Sequence, residues 1–276
     1  MSAFNDAVES ITLARAVNEG IHDPYILKAV FMAGGGGSGK SFISGLMFDG
    51  LGLKVVNSDE ILTRMANALQ IDLRTQMGTA MVQEPRFGLR QRAKVLTNSR
   101  LDIYIAGRLG LIIDSTAANV NRVFTTKERL ESLGYDCFMV FVNTSLETSQ
   151  ARNAKRDRVV DPAVIEADWK DVQAARDKYK RVFGTDFREV LNDKYHSDEE
   201  LRKYVVPDMT RMAVKLIDRP VKNAIGKKWI ADNSGDLPKG TKLGAGTGTV
   251  ESIARVLLQG DRKTRGMASN ADAGSL

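Results

Sequence analysis

Residues 34–41 read Gly-Gly-Gly-Gly-Ser-Gly-Lys-Ser, and these types in this order can hold a polyphosphate. A glycine-rich backbone takes positive φ freely and turns its N–H groups inward around a β-phosphate. A helix opening at the end of the string adds its positive N-terminal end. Lys40 supplies a mobile cation to the β and γ oxygens, and the Ser41 hydroxyl takes one Mg²⁺ position. The expected contacts to ATP or GTP with Mg²⁺ are therefore Gly35, Gly36, Gly37, Ser38, Gly39, Lys40 and Ser41.

Three other clusters could act on that phosphate. Val56-Asn-Ser-Asp-Glu60 ends a short apolar run, and a carboxylate at a strand's C-terminal edge points into the crevice that holds the phosphate loop. Asp59 could there accept a proton from an attacking hydroxyl; alternatively, Ser58 or Asp59 caps the next helix. Ile112-Ile-Asp-Ser-Thr-Ala117 puts Asp114 after another apolar run, where an acidic side chain reaches Mg²⁺, often through water. No glutamate follows Asp114, which favours phosphoryl transfer over hydrolysis. In Arg152-Asn-Ala-Lys-Arg-Asp-Arg158, Arg152 and Arg156 are four apart and share a helix face. A lid carrying such cations would neutralise a transferring phosphoryl group; the alternative is a solvated charged helix.

These clusters need a layered frame. Apolar runs at 29–33, 54–56, 109–113 and 138–142, with a fifth at 187–191, are short and continuous, as for strands buried on both faces of a parallel sheet. Helical patterns alternate with them, which predicts an α/β fold with right-handed crossovers. Residues 59–108 exceed the dozen or so a crossover needs and carry Arg64, Arg74, Arg86, Arg90, Arg92, Arg100 and Arg108. They read as an inserted substrate lobe, or as extra helix packing. The expected organisation is an N-terminal helix within 1–24, a nucleotide-binding domain over 25–202 with a lid at 150–183, and a C-terminal extension over 203–276. That extension should hold helices at 208–222 and 250–258, a Gly/Lys/Thr-rich stretch at 234–249 and a disordered tail.

Charge is uneven. Residues 1–202 carry 27 basic and 27 acidic side chains, whereas residues 203–265 carry 13 against 6. A basic segment on a neutral domain suggests nucleic acid as partner, or simply a solvated surface. His22 and His196 lack a metal-like pattern, and the one cysteine, Cys137, sits in an apolar run, so zinc and disulfide chemistry are not expected. No apolar run is long enough to span a bilayer, and no signal peptide is read; the expected location is cytoplasmic. Tyr179 reads as a packing residue.

From about Val30 to Asp193 the chain resembles the polynucleotide 5′-kinase and zeta-toxin branch of P-loop kinases, many of them phage-encoded. The matching pieces are Gly34–Ser41, Asn57-Ser-Asp-Glu60, Asp114-Ser-Thr116 and Arg152-Asn-Ala-Lys-Arg156. The resemblance implies a P-loop kinase fold, ATP as donor, Asp59 as general base, and Lys40, Ser41 and Arg156 as phosphate and metal contacts. It places Asp114 and Thr116 beside the acceptor. Where the family carries an acceptor-holding arginine this chain has Leu62, with Arg64 two residues on. The leading expectation is an ATP-dependent kinase acting on a nucleic-acid 5′-hydroxyl, with Arg152, Arg156 and Arg158 on the γ-phosphoryl. The alternatives are a small-molecule kinase, for a nucleotide, nucleoside or nucleotide-sugar, and a P-loop ATPase or nucleotide-binding structural component.

Overall fold

The structure is a computed structural model that describes residues 25–73, 78–155, 160–194 and 198–234. The expected N-terminal helix, the helix at 250–258, the tail, Arg74, Arg156 and Arg158 lie outside the described residues. Five strands form one parallel sheet: β1 (Lys28–Ala33), β2 (Lys54–Val56), β3 (Leu111–Asp114), β4 (Asp136–Asn143) and β5 (Phe187–Leu191). Their spatial order is β2-β3-β1-β4-β5. The chain steps outward from β1 to β2, returns to fill β3, then crosses β1 to build β4 and β5. The strand order therefore reverses around β1, and in open α/β sheets ligands bind beyond the carboxyl ends of the strands at that reversal.

Continuous apolar runs make strands here because both faces are covered. Along β1, Ala29, Phe31 and Ala33 enter one core and Val30 and Met32 the other; along β4, Cys137, Met139 and Phe141 alternate with Phe138, Val140 and Val142. The first face is covered by α4 (Leu89–Ala106), α5 (Val120–Ser132), α7 (Pro162–Phe183) and α9 (Ala224–Asn233), the second by α1 (Lys40–Phe48) and α8 (Val206–Ile217). Burial pushes the Cys137 thiol up, which leaves it an inert core residue. Tyr179 is buried and donates to Ala117 O; burial pushes its hydroxyl up to about 12.

Strand β3 starts two residues later than its apolar run because α4 persists to Ala106 and the turn absorbs Leu109 and Gly110. In that turn Arg108 takes φ 58°, and Gly110 O accepts from Lys54 N at 2.7 Å. Asp114 thereby becomes the strand's last residue. The helix expected over 208–222 stops at Ile217, since the residue before Pro220 is driven from the helical region. Val221 then returns to the core and Asn223 caps α9, accepting from the N–H of Ile225 and Gly226. Ala213, Leu216 and Ile217 of α8 lie in the core beneath the sheet, so the packing continues past residue 202. Between β2 and β3 stands a helical lobe of α2 (Ser58–Ala68), α3 (Ala80–Gln83) and α4, whose own core is Ile61, Leu62, Val82, Leu89 and Ala93.

Candidate active site

The phosphate loop joins β1 to α1, and its backbone is curled where the sequence has glycine. Gly37 and Gly39 take φ 79° and 84°, a region closed to most side chains. A Cβ on Gly37 would lie 2.2 Å from Ser149 O, and one on Gly39 2.3 Å from Asn192 Nδ2. The loop is thus walled by α6 (Leu146–Ala154) and by the turn after β5. Ile165 and Trp169 of α7 close over Gly36 and Gly35, and Trp169 Nε1 is fixed on Thr144 O at 2.8 Å.

Helix α1 opens at Gly39 with no side-chain cap, so the positive end of its dipole faces the loop. Ser38 Oγ is buried, lies over Gly34 and has no partner. A buried hydroxyl without a hydrogen bond costs about 1–3 kcal/mol, and a phosphate oxygen in the loop would satisfy it. The cradle therefore fits a nucleotide's phosphates. Lys40 Nζ donates to Gly34 O at 2.7 Å and Gly35 O at 3.1 Å, spanning the loop. Ser41 is exposed on the first turn of α1.

Asn57, not Ser58 or Asp59, caps α2: its Oδ1 accepts from Asp59 N at 2.8 Å and Glu60 N at 3.4 Å. The Asp59 carboxylate is exposed on the capped turn. The other end of Asn57 donates to Asp114 Oδ2 at 2.8 Å, which ties the tips of β2 and β3 together. Burial pushes the Asp114 carboxyl above its ordinary value. Lys40 and the Asn57 hydrogen bond oppose this, while Asp59 and Glu60 reinforce it. Lys40 and Asp59 are thus near enough to Asp114 to act on its charge, at the crevice beyond the strand ends. Thr116 borders it through its carbonyl, which accepts from Gly34 N at 3.2 Å.

Among the described residues no group of three or more His, Cys, Asp or Glu could hold a metal ion. Ser41 and Asp114 suit Mg²⁺ nonetheless, because that ion takes few protein ligands and completes its shell with phosphate oxygens and water.

Arg152 reaches the loop: its Nη1 donates to Ser38 O at 3.4 Å, alongside Asn192 Nδ2 at 2.7 Å. Arg64 stands on the exposed face of α2 in an ion pair with Glu60, which itself acts on Asp114. Within the segment expected as a lid, 150–183, the start of α7 leans on the loop, and Val172, Ala175, Tyr179 and Phe183 further along α7 pack in the core.

Three residues without an expected role stand here. Asn57 and Asn192 follow strands β2 and β5, a place that by itself puts a polar residue at the crevice. Asp168 of α7 has no such mark. Burial raises its carboxyl, Asp171 adds to this, and Lys40 and Arg90 oppose it, which sets it in the field of both the phosphate loop and the helical lobe.

No curated protein matches this chain. Among solved structures, the AvrRxo1-ORF1:AvrRxo1-ORF2 complex with ATP is 12% identical over 92% of this chain and 88% of that one, with a TM-score of 0.50. The PezAT chromosomal toxin–antitoxin system of Streptococcus pneumoniae is 14% identical over 79% and 96%, at 0.49. Deoxyadenosine kinase of M. mycoides with bound dATP is 15% identical over 66% and 98%, at 0.35. At 12% identity the likeness to the first of these is one of fold alone. A family model described as an AAA domain matches residues 30–179, which takes in the phosphate loop, Asp59, Asp114 and Arg152, and the chain belongs to that AAA-domain family.

Proposed function

We propose that this protein is an ATP-dependent phosphotransferase that moves the γ-phosphate to a hydroxyl, the 5′-hydroxyl of a polynucleotide being the favoured acceptor. The observation that carries the reading is the Asn57–Asp114 hydrogen bond. It holds the tips of β2 and β3 together, so that Asp59, Asp114 and Lys40 act on one space.

In this reading the glycine cradle and the first turn of α1 seat the phosphates. Mg²⁺ held by Ser41 and Asp114 would draw charge from the phosphate oxygens. Asp59 takes the proton of the acceptor hydroxyl as its oxygen attacks the γ-phosphorus. The bond from that phosphorus to the bridging oxygen breaks, and ADP leaves. Lys40 and Arg152 neutralise the transferring group, a role extended to Arg156 and Arg158 by their sequence positions. The arginines of the helical lobe, among them the exposed Arg86 and Arg90, and the basic segment over 203–265 support a polyanionic acceptor.

The test offers γ-labelled ATP with 5′-hydroxyl DNA, 5′-hydroxyl RNA, nucleosides, nucleoside monophosphates and UDP-sugars, with Asp59→Asn as control. Label on an oligonucleotide end, lost in the variant, is the expected result. Label on a small molecule would retain the mechanism and remove the polynucleotide. Free phosphate alone, equal in both proteins, would leave only an ATPase.

A further inference from the structure

The helical lobe carries a feature that the transfer step leaves unused. At its tip a cleft of about 500 Å³ is lined by Leu69, Ile71, Met81, Phe87 and Leu89, with Arg92 in its wall, a size in the range of small-ligand sites. Three large apolar side chains at this cleft are strongly exposed: Phe87 at 70%, Met81 at 59% and Leu69 at 53%. Phe87 owes its exposure to a built turn. The Glu84 carboxylate accepts from Arg86 N at 3.1 Å and also from Phe87 N. Gly88 N returns to Glu84 O at 2.9 Å, and a Cβ on Gly88 would lie 2.6 Å from the Glu84 backbone. The turn thus sets Phe87 at the surface.

Charge selects the occupant. Over residues 78–101 the basic side chains are Arg86, Arg90, Arg92, Lys94 and Arg100 and the only acid is Glu84, whose carboxylate is occupied by the turn. An exposed aromatic ring on a segment rich in guanidinium groups is the chemistry that holds a nucleobase by its face and its strand by the phosphates. Leu69 follows Asp59 by ten residues along α2, which sets the cleft about 15 Å from the attacking end. At roughly 3.4 Å per stacked step this is a few nucleotides along a strand.

We propose that Phe87 and the cleft behind it form a subsite that stacks an internal base of a polynucleotide acceptor, a few nucleotides from the 5′ end that receives the phosphate. This rests on the polynucleotide reading above. The experiment compares KM for a 5′-hydroxyl oligonucleotide of about ten residues, within the usual single-strand site sizes, with KM for a 3′-nucleoside monophosphate too short to reach the cleft. In the wild type the long acceptor should have a KM about tenfold below the short one, the effect of one stacked base. Phe87→Ala should raise KM for the long acceptor by about tenfold and leave that for the short one unchanged, and Phe87→Tyr should keep the wild-type values. An unchanged KM for the long acceptor in Phe87→Ala, or no advantage of the long acceptor in the wild type, overturns the subsite and leaves the kinase reading standing. Wild-type protein that labels neither acceptor overturns the polynucleotide reading and the subsite together.

Discussion

Lys28 and Asp136 meet at the entry edge of the sheet, and Lys40 and Asp114 share its exit edge. Both carboxylates are withdrawn from water, but their surroundings differ. Asp136 accepts from Lys28 Nζ, Lys222 N and Asn223 N, each at 2.9 Å, and so ties the chain beyond α8 to the base of β1 and β4. Lys28 itself is fully buried and lies over the Phe138 ring. Asp114 accepts from Asn57 and has Asp59 and Glu60 near enough to raise its carboxyl further. One edge satisfies its charge with backbone donors and becomes a fastening. The other gathers like charges, an arrangement that favours a cation or a proton arriving from outside. The contrast separates structural carboxylates from functional ones without reference to residue type.

Asp59→Asn should sharpen the contrast most. It should lower kcat by ~10²–10⁴, the usual contribution of general acid–base catalysis, with an unchanged denaturation midpoint, since Asn57 and not Asp59 caps α2. Asp136→Ala should do the reverse, lowering stability by ~3–5 kcal/mol, as expected when one partner of a buried ion pair is removed; urea unfolding measures it, and the folded fraction should keep its specific activity. Asn192→Ala removes a donor to the carbonyl of Ser38 and should cost about 1–3 kcal/mol. Its mark should be a higher KM for ATP without an equal fall in kcat. A stability loss with unchanged KM would make Asn192 a packing residue only.

The smallest effect has the opposite sign. A carboxyl whose folded pKa lies above its unfolded value binds its proton more tightly in the folded state, so stability falls as pH rises through the interval between them. Asp114 is such a group. Asp114→Asn should therefore raise Tm at neutral pH. It should abolish this group's fall in stability with rising pH, so that stability climbs more steeply out of the acid range, and lower activity. A lower Tm at neutral pH would remove Asp114 from the functional edge.

All five strands were legible in the sequence because two-sided burial leaves an unbroken apolar run. The phosphate loop was legible because its backbone shape requires glycine at Gly37 and Gly39. Asp114 and Asp59 could be located because strand ends face a common crevice. What stayed hidden depended on contacts between distant segments. Nothing in the sequence around Asp168 marks its nearness to Arg90, since the two lie on helices 78 residues apart in the chain. The charge pattern of Arg64 fits a substrate contact as well as its pairing with Glu60. Helix α9 escaped notice because Trp229 and Ile230 are only partly buried, and much of its anchoring rests on Asn223 and on the backbone contact between Gly134 and Gly226.

The helical lobe leaves the sheet at Val56 and re-enters it at Leu111, on neighbouring strands paired Lys54 to Leu111 and Val56 to Ile113. Its outer part keeps a small core of its own, while Leu101, Tyr104 and Ile105 near the end of α4 belong to the core of the sheet. A segment with its own interior and adjacent points of exit and return can be exchanged as a cassette. Its replacement would alter what the protein accepts while the phosphate loop, Asp114 and Arg152 stay on the elements that hold them. A chimera carrying a foreign tip between residues 69 and 88 would spare Asn57, Asp59 and the core-packed end of α4, and should keep the fold of the phosphate loop.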